Sequence, residues 1–237
     1  MKLHRRRGRR AAGLALVEGP HGVAEAVDAA FSVVRVFHVP EDRAGREVAV
    51  RSGAEAVAVT PAVLARLSTT ETPQSPVAMV AVPRVPLPDT GDVLVAWGVG
   101  DPGNVGTLIR TAAAFAMSFA SGPGSADPWS PKVLRAAAGG HFHTIVAEIA
   151  SLEELGDRRL VATVPVGGAA VSGLPDGPLG ILVGDEAAGL PDEVIAAGVR
   201  VTIPMPGGTE SLNAAVAGAI VAYEASRRCA GGVIADR

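Results

Sequence analysis

Apolar and polar positions along this chain fall into two blocks, each switching between a helical and a strand-like period. In the first block, AEAVDAAF (24–31), AGREVAVRS (44–52) and PAVLARLS (61–68) space their apolar residues for one helical face and predict helices. VVRVFHV (33–39) and SPVAMVAVP (75–83) are β-rich apolar runs and predict strands. PRVPLPDTG (83–91) carries three prolines and a glycine among polar residues, which predicts a linker over 84–91 after a first domain at 1–83. The second block, 92–237, predicts strands at 93–97, 144–149, 159–165, 179–184 and 200–205, with helices over 104–116, 130–138, 191–197 and 211–228. Its near-continuous apolar strands point to a parallel sheet covered on both faces. The expected class is α/β, a parallel-sheet domain preceded by a smaller α/β domain.

Composition narrows this picture. A chain of 237 residues with 48% hydrophobic residues and a mean hydropathy of +0.32 is able to bury a real core and is not disordered. No apolar run is long enough to span a bilayer, and no signal-peptide core follows the basic N-terminus, so a soluble, cytoplasmic protein is expected. Cys229 stands alone, which excludes an internal disulfide and a cysteine metal cluster; it reads as a small thiol late in the terminal helix, and no metal is expected. The net charge of −3 argues against a nucleic-acid partner until its distribution is considered. MKLHRRRGRR (1–10) holds six cations and no acid, leaving fifteen cations against twenty-four acids elsewhere, a net of −9. This basic arm reads either as a phosphate contact on RNA or as a solvated tail.

The clearest short motif is Gly98-x-Gly100-x-x-Gly103, between an apolar run and an alanine-rich helical pattern, the setting of a dinucleotide fingerprint. That reading needs an acid about 20 residues on to hold ribose hydroxyls, and MSFASGPGSA (117–126) offers none. Pro102 also removes an amide where a phosphate would want one. The dinucleotide reading fails.

Three segments in order carry a more specific signal. DPGNVGTLIRTAAAFA (101–116), LVGDEAAGL (182–190) and IPMPGGTESLNAAVAGAIVAYE (203–224) resemble the three motifs of the SpoU, or TrmH-like, branch of the SPOUT superfamily of RNA 2′-O-ribose methyltransferases. SADPWSPKVLRAAAGGHFH (125–143) is similar to the connecting segment, and ALVEGPHGVAEAV (15–27) with TPQSPVAMVAV (72–82) resembles the family's RNA substrate-binding domain. The chain departs from the pattern at Ala116, where a glycine is usual, at a shortened strand over 117–121, and at Asp185, where a neutral residue is more typical.

The resemblance implies a parallel sheet with a C-terminal trefoil knot, S-adenosylmethionine as cofactor, and a homodimer built through the C-terminal helix. Small residues in NAAVAGAIVAYEA suit such an interface, though a helix buried within one chain would look the same. It further implies cofactor contacts at Thr163, Gly184, Ile203, Met205 and Leu212, and a catalytic group of Arg110, Asn104, Glu186, Ser211 and Asn213. Arginine stays charged at accessible pH, so Arg110 is expected to anchor phosphate and stabilise a developing alkoxide. The other four would orient it. His141 and His143, with no carboxylate nearby in sequence, read as structural or RNA-contacting groups. The implied substrate is structured RNA, ribosomal rather than transfer RNA. A non-catalytic RNA- or ribosome-binding protein is the alternative, and a dinucleotide-dependent oxidoreductase a remote one.

Overall fold

The computed structural model describes residues 2–229. Its first part runs α1 (Arg6–Ala12), β1 (Leu14–Glu18), α2 (Pro20–Asp28), β2 (Val33–His38), α3 (Arg43–Ser52), β3 (Glu55–Ala58), α4 (Pro61–Leu67) and β4 (Val77–Ala81). These strands form a four-stranded sheet in the order β1-β4-β2-β3, with β4 antiparallel to both neighbours and β2 parallel to β3. The second part runs β5 (Val93–Ala96), α5 (Pro102–Ala114), β6 (Ser118–Ser121), α6 (Pro131–Ala137), β7 (Val146–Glu148), β8 (Arg159–Thr163) and β9 (Ala169–Ala170), then β10 (Leu179–Val183), α7 (Asp192–Ala196), β11 (Val199–Thr202) and α8 (Ala214–Cys229). Here seven parallel strands lie in the order β7-β6-β5-β10-β8-β11-β9. Every residue of β5 and β10 is buried, as continuous apolar strands under helices on both faces require.

Local chemistry sets the element ends. Asp101 caps α5 by accepting from the Asn104 amide at 2.9 Å, and Pro102 opens the helix where its missing N–H costs nothing. The glycine loop therefore ends in a helix already capped by its own carboxylate, and an anion has no place there. At the far end of α5, Ala116 adopts φ 54°, the left-handed region where glycine carries no steric penalty. The β6 stretch that looks weak in sequence is a regular strand paired on both sides.

Several expectations need correction. Residues 2–10 are not a solvated tail: they form a short 3-10 turn and α1, with Leu3 buried and Arg9 only 5% exposed. Arg9 pairs with Asp127, while Arg6 and Arg10 share Glu148. β1, β3 and β9 are strands that the sequence pattern left undetected. β11 stops at Thr202 rather than 205, and α8 begins at Ala214 rather than 211. Its N-cap is Asn213, whose Oδ1 accepts from the Ala215 and Val216 amides at 3.0 and 3.1 Å. The Cys229 side chain lies outside the described residues. Arg158 fastens the proline-rich stretch by donating to the carbonyls of Pro88, Thr90 and Gly91.

Helices α5 and α6 meet backbone to backbone at Gly106, where an added Cβ would stand 2.4 Å from Ala136 Cβ and 2.7 Å from the Val133 carbonyl oxygen. Two substitutions on this stretch should act in opposite directions. Gly106→Ala should destabilise the fold by about 1–3 kcal/mol through overpacking, whereas Ala116→Gly should stabilise it by about 1 kcal/mol by relieving the left-handed backbone. Urea unfolding measures both; equal signs would refute the packing account.

Candidate active site

Strands of a parallel sheet present their C-terminal ends along one edge, the usual place for ligands in open α/β sheets. At this edge the chain after β10 folds back on itself. Gly189 donates its amide to the Asp185 carbonyl at 2.9 Å, and its backbone lies so close that a Cβ on Gly184 would approach the Gly189 carbonyl carbon to 2.4 Å. Glycine at 184 is thus required by the protein's own backbone. Asp185 stiffens the same loop: its Oδ1 accepts from the amides of Ala187 and Ala188 at 3.0 and 3.3 Å. Those bonds, with a smaller contribution from the Gly100 backbone, hold its carboxyl below the usual carboxylate range. The departure at 185 therefore has a structural role.

The loop projects Glu186 towards two other segments. Its Oε1 accepts from Asn104 Nδ2 on α5 at 2.9 Å, from Asn213 Nδ2 just before α8, and from the Ala214 amide at 3.3 Å. Asn213 Nδ2 also donates to Asn104 Oδ1 at 2.9 Å. Residues 104, 186 and 213 thus form one closed network.

Beside it lies a cavity of about 410 Å³, within the range of small-molecule sites. Thr163, Gly184, Ile203, Met205 and Leu212 all line it, as do Glu186 and Ser211. The Thr163 hydroxyl donates to the Leu182 carbonyl at 2.9 Å, which sets that side chain against the neighbouring strand. Further lining comes from Ile195 on α7 and Ala217 on α8, whose apolar spacing in the sequence signals only a core. The Ala214 amide, another participant, is a backbone group with no side-chain signal at all.

Arg110 stands apart from the network. It lies on the exposed stripe of α5 with Gly103 and Thr107, six residues and about 9 Å of helix axis beyond Asn104. Among the described residues it makes no hydrogen bond or ion pair. Gly140 packs directly under it, since a Cβ there would meet Arg110 Cα at 2.9 Å. Ser211 is exposed at the cavity rim.

The two histidines separate. His143 Nε2 bonds Glu25 Oε2 at 2.8 Å, joining the loop after α6 to α2 and lowering the Glu25 pKa. His141 is 2% exposed, donates from Nε2 to the Pro128 carbonyl at 2.7 Å, and packs 4.9 Å from the Trp129 ring.

The family model described as the SpoU rRNA Methylase family matches residues 92–223, and one described as an MRM3-like substrate binding domain matches residues 1–78. The chain is 32% identical over 231 residues to the 23S rRNA (guanosine(2553)-2′-O)-methyltransferase RlmP of Bacillus subtilis, covering 94% of this chain and 92% of that protein. This chain belongs to the SpoU rRNA methylase family. Its sequence is also 30% identical to a 23S rRNA (uridine(2479)-2′-O)-methyltransferase of Streptomyces viridochromogenes, over 95% of this chain and 87% of the relative. Among solved structures it resembles the SpoU methyltransferase AviRb of Streptomyces viridochromogenes in complex with AdoMet, with a TM-score of 0.87, 28% identity, and 98% and 96% of the two chains covered. An AdoMet-bound rRNA methyltransferase from Sinorhizobium meliloti gives a TM-score of 0.82 at 28% identity, over 95% and 92% of the two chains.

Burial makes His141 a stability switch in this SpoU-family chain. Desolvation pushes its pKa from 6.5 down to about 4, because protonation at the unpartnered, buried Nδ1 would put a charge in the core. Between those values the unfolded chain binds a proton that the folded chain refuses. The stabilisation is complete above pH 6.5 and falls as the pH drops towards 4, by roughly 3 kcal/mol at most. Urea unfolding at pH 7.5 and 4.5 should show that loss, and His141→Gln should flatten it relative to the parent. An unchanged pH slope in the variant would refute the assignment.

Proposed function

We propose that this protein transfers a methyl group from S-adenosylmethionine to a ribose 2′-hydroxyl of ribosomal RNA in the cytoplasm. The observation that carries the reading is the junction of three distant segments at Glu186 beside a cavity of suitable size. The cavity fits the cofactor chemically: Ile203, Leu212 and Met205 offer apolar faces for an adenine and a thioether-like chain, while strand-end backbone at 163–165 and 184 reads polar edges. When bound, the cofactor supplies an electrophilic methyl group.

The protein's own part is positioning and charge. Asn104, Glu186 and Asn213 are mutually bonded and hold the start of α5 against the start of α8. Asn104 is thereby fixed on the helix that carries Arg110. The Arg110 guanidinium, free of protein partners among the described residues, grips the phosphate next to the acceptor ribose and stabilises the alkoxide as it forms, the hydroxyl proton passing to solvent water. It stays protonated throughout. Ser211, at the rim of the cavity, bonds that phosphate or the ribose in this reading.

The remaining parts of the reading extend this site. Residues 1–83 bind the RNA, 84–91 connect, and 92–237 carry the chemistry. The insertion of β10 between β5 and β8 supports the trefoil knot implied by the family resemblance. Val216 and Tyr223, 47% and 50% exposed and seven residues apart on α8, support a homodimer through that helix.

Calorimetric titration should show S-adenosylmethionine binding and no NAD(H) binding. Arg110→Ala should leave that affinity intact and cut methyl transfer to RNA by about 10²–10³-fold. Arg110→Lys should recover little, because an ammonium does not hold phosphate bidentately. Near-normal turnover by the alanine variant would overturn the role given to Arg110. Mapping 2′-O-methyl sites in RNA from cells with and without the protein identifies the nucleotide.

A further inference from the structure

Away from the cavity, along the same C-terminal edge of the seven-stranded sheet, Arg6 and Arg10 lie one helical turn apart on α1. Both donate to the same carboxylate oxygen, Glu148 Oε2, at the end of β7. Arg84 adds a third guanidinium by donating to the Arg10 carbonyl at 3.0 Å. Two cations thus share a single acid, with a third held close to them. All of these groups are solvent-accessible, Arg6 at 47%, Arg10 at 58% and Glu148 at 35%.

Arg6, Arg10 and Glu148 border a cavity of about 420 Å³ whose other wall is the loop Ser121-Gly122-Pro123-Gly124-Ser125. That loop leans on the one preceding α5. Gly98 donates to the Pro123 carbonyl at 3.0 Å, Val99 donates to Ser125 Oγ at 3.2 Å, and a Cβ on Gly124 would come within 3.3 Å of Gly98 Cα. From Arg6 and Arg10 a continuous surface therefore leads through 121–125 to 98–101 and on to the catalytic network.

We infer that Arg6, Arg10 and the 121–125 loop form a phosphate-binding subsite for the RNA strand flanking the methylated nucleotide, with Glu148 as the carboxylate that an incoming phosphate displaces. The inference rests on the RNA-methylation reading above. Energetics favour the exchange, because exposed ion pairs contribute little. Two guanidiniums against a phosphate make stronger, charge-assisted and bidentate bonds. The helix is held ready for this. Arg9, on the same helix, is buried against Asp127 and donates to the Leu3 carbonyl at 2.9 Å, so α1 does not have to order on binding.

The test uses full-length protein and a short fluorescein-labelled oligouridylate, with affinity read by anisotropy across a salt series. Glu148→Gln should tighten binding about fivefold at low salt, since the phosphate no longer competes with a carboxylate. The double variant Arg6→Gln, Arg10→Gln should weaken binding and lower the log–log salt slope by roughly 1.4, two single-strand phosphate contacts. Unfolding midpoints close to that of the parent confirm that the fold is intact in both. Unchanged or weaker binding by Glu148→Gln, or an unchanged slope in the double variant, would overturn the subsite. S-adenosylmethionine affinity, measured alongside, should not move in either variant. If the parent protein fails to bind the cofactor, the methyltransferase reading falls while the RNA affinities still decide the subsite.

Discussion

The site depends on one carboxylate oxygen. Glu186 Oε1 collects donors from α5 and from the start of α8, segments more than one hundred residues apart in the chain. That convergence fixes which residue of α5 meets the cavity. Adding or removing one residue ahead of Asn104 would rotate the helix by about 100° and carry both Asn104 and Arg110 off their faces. The Asp101 cap sets the helix start, and the backbone contact of Gly184 with Gly189 aims Glu186 at it. Each feature is a short-range constraint; together they define a three-segment junction.

A second set of contacts fixes the first four-stranded sheet to the second. Arg135 donates to Thr69 Oγ1 at 2.7 Å and lies 3.5 Å from Glu18, and His143 bonds Glu25. α1 also docks, through Arg9 and Asp127. These contacts are unequal. Exposed pairs such as His143 with Glu25 add little stability, whereas Arg9 and Asp127 are 5% and 12% exposed. Removing one partner of a buried pair leaves an uncompensated charge and costs about 3–5 kcal/mol. The relative placement of the two sheets therefore rests on an apolar core that runs through both, with Phe31 packed against Trp129 and Phe142, and on the buried pair joining a helix in the first residues to the loop after β6.

Much of this was legible in the sequence, and the failures have physical causes. Continuous apolar runs made β5, β8 and β10 plain, and the five residues assigned to the cofactor by family resemblance do line one cavity. The network of Asn104, Glu186 and Asn213 was expected as a group, but its geometry was not. In that geometry Asn213 also caps α8, and Arg110 stands outside the bonds. Proline and glycine over 204–208 hid where β11 ends and α8 begins, because such residues mark a turn without fixing its length. The sequence left the basic first residues open between a phosphate contact and a solvated tail, because charge density says nothing about tertiary partners. Asp127 and Glu148, which order them, lie more than one hundred residues away. β1 escaped notice for the same reason, a short run behind six cations.

The charge pattern then acquires a physical logic. A chain with a net charge of −3 has to admit a polyanion, and three acids, Asp101, Asp185 and Glu186, stand at the catalytic edge itself. Each of them is turned onto donors of the protein: Asp101 onto the start of α5, Asp185 onto its own loop amides, Glu186 onto Asn104, Asn213 and the start of α8. Carboxylates used against helix starts and loop amides offset partial positive charge there and project less field outward. The guanidiniums do the reverse, with Arg110 unpaired among the described residues and Arg6 and Arg10 sharing a single acid. Hydrogen bonding thus separates acids turned onto the protein's own donors from arginines left exposed to solvent, and net charge alone hides that division.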